Sequence, residues 1–147
     1  PKLVARKMEV NDNVIPASNS VIANSLFDLG TILNKENYKQ ISLQILNNVK
    51  PHIKSYGAGY ANYASLFLKQ ISPYYQVAIV GKEAQKKTLE INEIYHPNKL
   101  FIGSLQESSL DLLENKYVQG STMIYVCENN TCKLPTNKVM EAIKQMK

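Results

Sequence analysis

Four polar side chains near the start of the sequence, Asp12, Ser18, Asn19 and Ser20, are the first that could do chemistry. A carboxylate and an amide facing a cavity can hold a sugar hydroxyl or orient a water molecule. The same three residues from Ser18 to Ser20 also suit a helix start, where free backbone N–H groups need acceptors. Capping accounts for every member of the cluster except Asp12. A second group is aromatic: Tyr56, Tyr60 and Tyr63, with Tyr74 and Tyr75 just after, in a chain with nine tyrosines, three phenylalanines and no tryptophan. Tyrosine faces pack on sugar rings, so Tyr60 and Tyr63 join Asp12, Ser18 and Asn19 as candidate substrate-binding residues. A stripe at helical spacing serves a protein core just as well, and that is the expectation with the greater weight.

Cys127 and Cys132 enclose four residues. Dithiol redox sites place two residues between their cysteines and set one at a helix N-terminus to lower its pKa, so this pair reads as structural or weakly redox-active and not as a structural cross-link of a secreted scaffold. His52 follows Pro51, where a cation complements a helix C-terminus; His96 precedes Pro97-Asn98 in a connection. Two histidines and two cysteines far apart in sequence are too few for a structural zinc, and no metal and no cofactor is expected. Gly81 and Lys82 end an apolar run ahead of a helix, yet the further glycines of a dinucleotide-binding turn are missing. Asn129-Asn130-Thr131 would be a glycosylation acceptor only in a secreted chain. No catalytic residue can be assigned.

These residues must be positioned by two kinds of structure. From Pro16 to about Ser72 apolar residues recur at helical spacing: Val21, Ile22, Leu26, Leu29 and Leu33; Ile41, Leu43, Ile45, Leu46 and Val49; Tyr60, Tyr63, Leu66, Phe67 and Ile71. Asn34 to Asn37, and Gly57-Ala58-Gly59, separate three helices joined as antiparallel hairpins. After Pro73 the period changes. Val77 to Val80 reads as a strand buried on both faces, Glu83 to Ile94 as a helix, Lys99 to Gly103 as a second strand, Ser108 to Leu113 as a short helix, Met123 to Val126 as a third strand and Asn137 to Met146 as a last helix. The expected fold is mixed α and β, a helical segment over residues 1–74 followed by a small, mainly parallel three-stranded α/β unit over residues 75–147.

Composition narrows the function classes. The 147 residues are 44% apolar and 20% charged, ordinary for one or two compact units. Seventeen Lys and Arg against 12 Asp and Glu give a net charge of +5, but the basic residues are scattered from Lys2 to Lys147. Nucleic-acid surfaces gather such charge on one face, so no nucleic-acid partner is expected. No apolar run of membrane-spanning length and no signal-peptide pattern appears. The chain reads as cytoplasmic without a membrane partner. It opens Pro1-Lys2-Leu3-Val4-Ala5-Arg6-Lys7, which reads as chain already under way, part of a larger protein.

A family resemblance fits that reading. Glu9-Val10-Asn11-Asp12, with Pro16-Ala17-Ser18-Asn19-Ser20, resembles the Glu, Asp, Pro-Ser-Gly-Asn-Ser stretch of the spermatogenesis-associated thioredoxin-like family. Tyr125-Val126-Cys127, Cys132 and Pro135-Thr136 resemble its closing segment. Gly59 to Ala64, Val77 to Gly81 and Pro97-Asn98-Lys99 fall between them in the family's order. The resemblance implies a parent with an N-terminal thioredoxin-like domain and a six-hairpin, glycosidase-like and epimerase-like helical toroid, of which this chain would be the C-terminal portion. Its partner would then be the remainder of the parent chain, and its function either a share of a carbohydrate-binding cavity or that of a structural or protein-interaction module without catalysis of its own. Ala17-Ser18 stands where the family has Ser-Gly, so Ser18 must meet any geometry that needed glycine. Helices separated from toroid neighbours would expose apolar stripes, and self-association through residues 17 to 72 is expected.

Overall fold

The computed structural model describes residues 8–129 and 131–146; the opening stretch to Lys7, Asn130 and Lys147 lie outside the described residues. The chain divides between Ile71 and Ser72 into two compact units. The first holds α1 (Ser18–Ile32), α2 (Glu36–Ile53), a 3₁₀ turn (Gly57–Tyr60) and α3 (Ala61–Ile71). Asn34, at φ 50°, turns the chain between α1 and α2, a conformation that asparagine tolerates better than most residues. Pro51 sits in the last turn of α2, which runs on only to Ile53.

The faces of α1 are inverted relative to the expected pattern. It buries Ser20, Ala23, Gly30 and Thr31, while Val21, Ile22, Leu29 and Leu33 are 47%, 49%, 44% and 38% exposed. Small residues let α2 come close: a Cβ on Gly30 would lie 2.8 Å from Lys39 Cγ. The Ser42 hydroxyl of α2 donates to Ala23 O at 2.7 Å, and Asn24 Nδ2 donates to Asn62 O of α3 at 3.0 Å. The apolar interior comes chiefly from α2, the 3₁₀ turn and α3, as Leu46, Val49, Tyr60, Tyr63 and Leu66 close on Ala23.

The second unit is mixed α/β. It contains β1 (Tyr75–Val80), α4 (Ala84–Asn92), β2 (Lys99–Ser104), β3 (Met123–Glu128), β4 (Thr131–Cys132) and α5 (Val139–Gln145), in the sheet order β2-β1-β3-β4. Every residue of β1 is buried. Its Tyr75, Val77 and Ile79 pack with Ile124 and Val126 against Ala84, Ile91, Ala142 and Ile143, and Ala78 and Val80 pack against Leu113 on the other side, which is the double burial expected of a continuous apolar strand.

All three expected strands form, but the sheet is not mainly parallel. Only β1 and β2 run parallel, Tyr75 opposite Lys99; β3 is antiparallel to β1, Val80 opposite Met123, and the short β4 is antiparallel to β3. The cause lies between β2 and β3. A parallel return needs a crossover as long as the sheet, and Ser108 to Leu113 makes turns in place of the expected helix, with Leu113 N and Glu114 N donating to Leu110 O at 2.7 and 2.8 Å. Asn115 at φ 58° ends that coil. The chain therefore re-enters the sheet at the end where β2 left it.

Candidate functional site

Asp12 is positioned by the segment before α1. Its Oδ1 accepts from Ala17 N at 3.0 Å and from the Ser20 hydroxyl at 2.6 Å, and its Oδ2 accepts from Asn62 N at 2.9 Å. Asp12 N in turn donates to Gly59 O at 2.8 Å. The carboxylate is 5% exposed, and both oxygens are engaged in tying the entry of α1 to the start of α3. Burial works to raise its pKa, but the hydrogen bonds from Ser20, Ala17 and Asn62 outweigh that and hold the group below the ordinary 3.8.

Of the other sequence candidates, Ser18 is exposed and Asn19 half-buried. The N-cap of α1 is Ala17, without a side-chain cap, so Ser18 and Asn19 do not cap the helix by side chain. Ser20 acts instead through Asp12. Ser18 has no left-handed φ and begins α1 with ordinary helical backbone. Tyr60 and Tyr63 are 9% and 0% exposed, with ring centroids 6.0 Å apart; they belong to the helical core. Tyr63 Oη is buried without a hydrogen-bond partner, and burial, with the nearby charge of Asp12, pushes its pKa up. Asp12, Ser20, Asn62 and Tyr63 thus form one neighbourhood, whereas exposed Ser18 stands apart from it.

Cys127 and Cys132 are joined by a disulfide. Spacing alone left the pair open between a structural and a weakly redox-active role, and the structure places the two sulfurs in one bond. Four intervening residues suffice because Cys127 and Cys132 are opposed in the β3–β4 register, and Asn129 at φ 50° supports so tight a reversal. His52 stacks on Tyr60 at 6.2 Å, while the His96 ring stands edge-on to Tyr75 at 5.5 Å and its Nε2 lies 2.5 Å from Met146 O.

A crevice of about 490 Å³ opens beyond the carboxyl end of β1, lined by Lys82, Glu83, Tyr117 and Gln119 to Thr122. Crevices at strand carboxyl ends, where neighbouring connections part, are where open α/β sheets hold ligands. Beside it, Gly81 permits a close approach of the two connections: at φ 132° a Cβ there would meet Thr122 Cα at 2.7 Å and Ser121 O at 2.6 Å. Thr122 Oγ1 accepts from Glu83 N at 3.0 Å and fixes the two lips together. Gly81 and Lys82 are visible in the sequence as the end of an apolar run. Thr122, 39 residues away from Glu83, carries no local signal.

Among the described residues no group of three or more His, Cys, Asp or Glu is placed to hold a metal ion, and no helix is long and apolar enough to cross a membrane. The chain matches no protein-family model, no curated protein and no solved structure.

Proposed function

We propose that this chain is the C-terminal part of a protein of the family it resembles, and that it works there as a structural and interaction module. In this reading α1 to α3 are the closing helices of an α/α toroid, and helices that precede them in the parent cover the outer side of α1. The observation that carries it is the inversion of α1, which turns Ser20, Ala23, Gly30 and Thr31 inward and leaves Val21, Ile22, Leu29 and Leu33 substantially exposed. Ile22, Leu26, Leu29 and Leu33 follow one another at spacings of four, three and four, the stripe that packs along a neighbouring helix. Covering each of these half-exposed side chains is worth on the order of 1 kcal/mol. Separated from such helices, two copies would meet along the same stripe. A share in a carbohydrate-sized cavity falls to Ser18 and Asn19, because Asp12, Tyr60 and Tyr63 are taken up by the core.

Cysteine accessibility tests the reading. Leu29→Cys is introduced into the full-length parent and into the 147-residue chain alone, and its rate of maleimide labelling is compared. The parent should protect the new thiol at least about tenfold, the ratio set by a covering interaction of 1.4 kcal/mol. Equal labelling in the two, or an immunoblot that finds the native protein no heavier than this chain, would overturn it.

A further inference from the structure

The disulfide between Cys127 of β3 and Cys132 of β4 closes a hairpin that is already closed. The two cysteines are direct register partners, with Glu128 opposite Thr131 between them and the turn. Beyond them Lys133 N donates to Val126 O at 2.9 Å, and Ile124 and Thr136 exchange backbone hydrogen bonds of 2.7 and 3.1 Å. Disulfides stabilise mainly by restricting the unfolded chain, and the gain grows with the loop they close. A separation of 5 in sequence puts this one near the bottom of that scale. As a staple it adds little to what the backbone pairing does.

Access to the two ends is unequal. Cys127 is 1% exposed, whereas Cys132 lies on a strand whose two residues are both exposed. An incoming nucleophile therefore reaches the bond from the Cys132 side, and exposed disulfides are the ones that exchange readily. The hydrogen bonds on both sides of the pair give the hairpin a way to keep its register when the bond opens.

We propose that Cys127–Cys132 is a reversible thiol–disulfide exchange site entered at Cys132, with a small thiol of the glutathione class as its partner. The thiolate of the small molecule forms a bond to Cys132 Sγ as the Cys127–Cys132 bond breaks, and the electron pair leaves on Cys127 Sγ, which takes a proton from solvent. A second small thiol then attacks the sulfur of the first, releasing Cys132 as a thiol. Two small thiols are oxidised to one disulfide and the protein disulfide is reduced to two thiols. In the reverse direction Cys127 is the resolving thiol that expels the small molecule from Cys132. The assignment rests on the β3–β4 hairpin alone and stands apart from the role of α1.

The test treats the intact protein, with its disulfide formed, with reduced glutathione near pH 7.5. Acid-quenched samples are mapped by mass spectrometry, and circular dichroism is recorded in parallel. The expected result is a glutathione adduct on Cys132, two free thiols at completion, a rate proportional to glutathione concentration and an unchanged spectrum. An adduct on Cys127, or a rate that is independent of glutathione and equal to that of unfolding, would overturn the proposal. Two single variants provide the second arm. With oxidised glutathione, Cys127→Ser, which keeps Cys132, should react at least about tenfold faster than Cys132→Ser, which keeps the buried thiol; equal rates in folded variants would also overturn it.

Discussion

Replacing Asp12 by asparagine keeps the side chain's size and removes its charge and half of its acceptor capacity. The native carboxylate accepts three hydrogen bonds, from Ala17 N, the Ser20 hydroxyl and Asn62 N. An amide can serve the donors on one side only and turns its own NH₂ toward a donor on the other. Hydrogen bonds to a charged acceptor contribute about 1.5–3 kcal/mol, and a buried donor left unpaired costs about 1–3 kcal/mol. Ala17 is 1% exposed, so its N–H finds no solvent, whereas the Ser20 hydroxyl keeps Ala17 O at 2.9 Å as an alternative acceptor. Asp12→Asn should therefore destabilise the helical unit by about 2–4 kcal/mol. Urea unfolding followed by far-ultraviolet circular dichroism measures it, and tyrosine fluorescence serves as a second probe because the chain has nine tyrosines and no tryptophan.

The pH dependence of the same variant gives an independent check. The folded pKa of Asp12 lies below the ordinary 3.8, so its contribution is present in full above the unfolded-state pKa and is lost as pH falls through the folded one. Wild type and Asp12→Asn should therefore differ by a constant amount near neutrality and converge below about pH 4. A variant within about 0.5 kcal/mol of wild type at pH 7 would refute the argument, and would return Asp12 to the role of a group held ready for a ligand.

Two further substitutions probe the packing that positions the candidate sites. Gly81→Ala should cost about 2–4 kcal/mol, because the backbone at φ 132° disfavours any side chain and the new Cβ meets Thr122 Cα at 2.7 Å; thermal unfolding of the purified variant reports it, and an unchanged midpoint would show that the Gly81–Thr122 approach is not tight. Tyr63→Phe should leave stability unchanged or raise it by up to about 1 kcal/mol, because it removes a buried hydroxyl without a hydrogen-bond partner. A urea midpoint that falls by the equivalent of more than about 1 kcal/mol would contradict this and assign the hydroxyl a partner.

Much of the fold was legible because its signals are local. The runs Val77 to Val80 and Met123 to Val126 are short, apolar and bounded by turn residues, and they are β1 and β3. The three helices before Ile71 follow from periodicity, and the breaks at Asn34 and Gly57 from residues that interrupt it. Strand direction was not legible in the same way. It depended on whether Ser108 to Leu113 would carry the chain back along the sheet, and one coil of turns does not. The β4 strand is two residues long, too short to leave a pattern.

For the candidate sites the division is sharper. The sequence by itself determined which groups exist and which of them are near neighbours along the chain: one carboxylate ahead of a helix, two cysteines close enough to pair, a glycine at the end of a buried strand. It also determined that α1 carries an apolar stripe. Tertiary structure alone decided which way that stripe faces, because a period of 3.6 residues fixes the angle between side chains and not the direction of the core. It decided as well that Asp12 reaches Asn62, 50 residues on, and that Thr122 closes over Gly81. Such pairings arise from the packing of whole elements, where burial of many apolar side chains outweighs the local preference of any one residue.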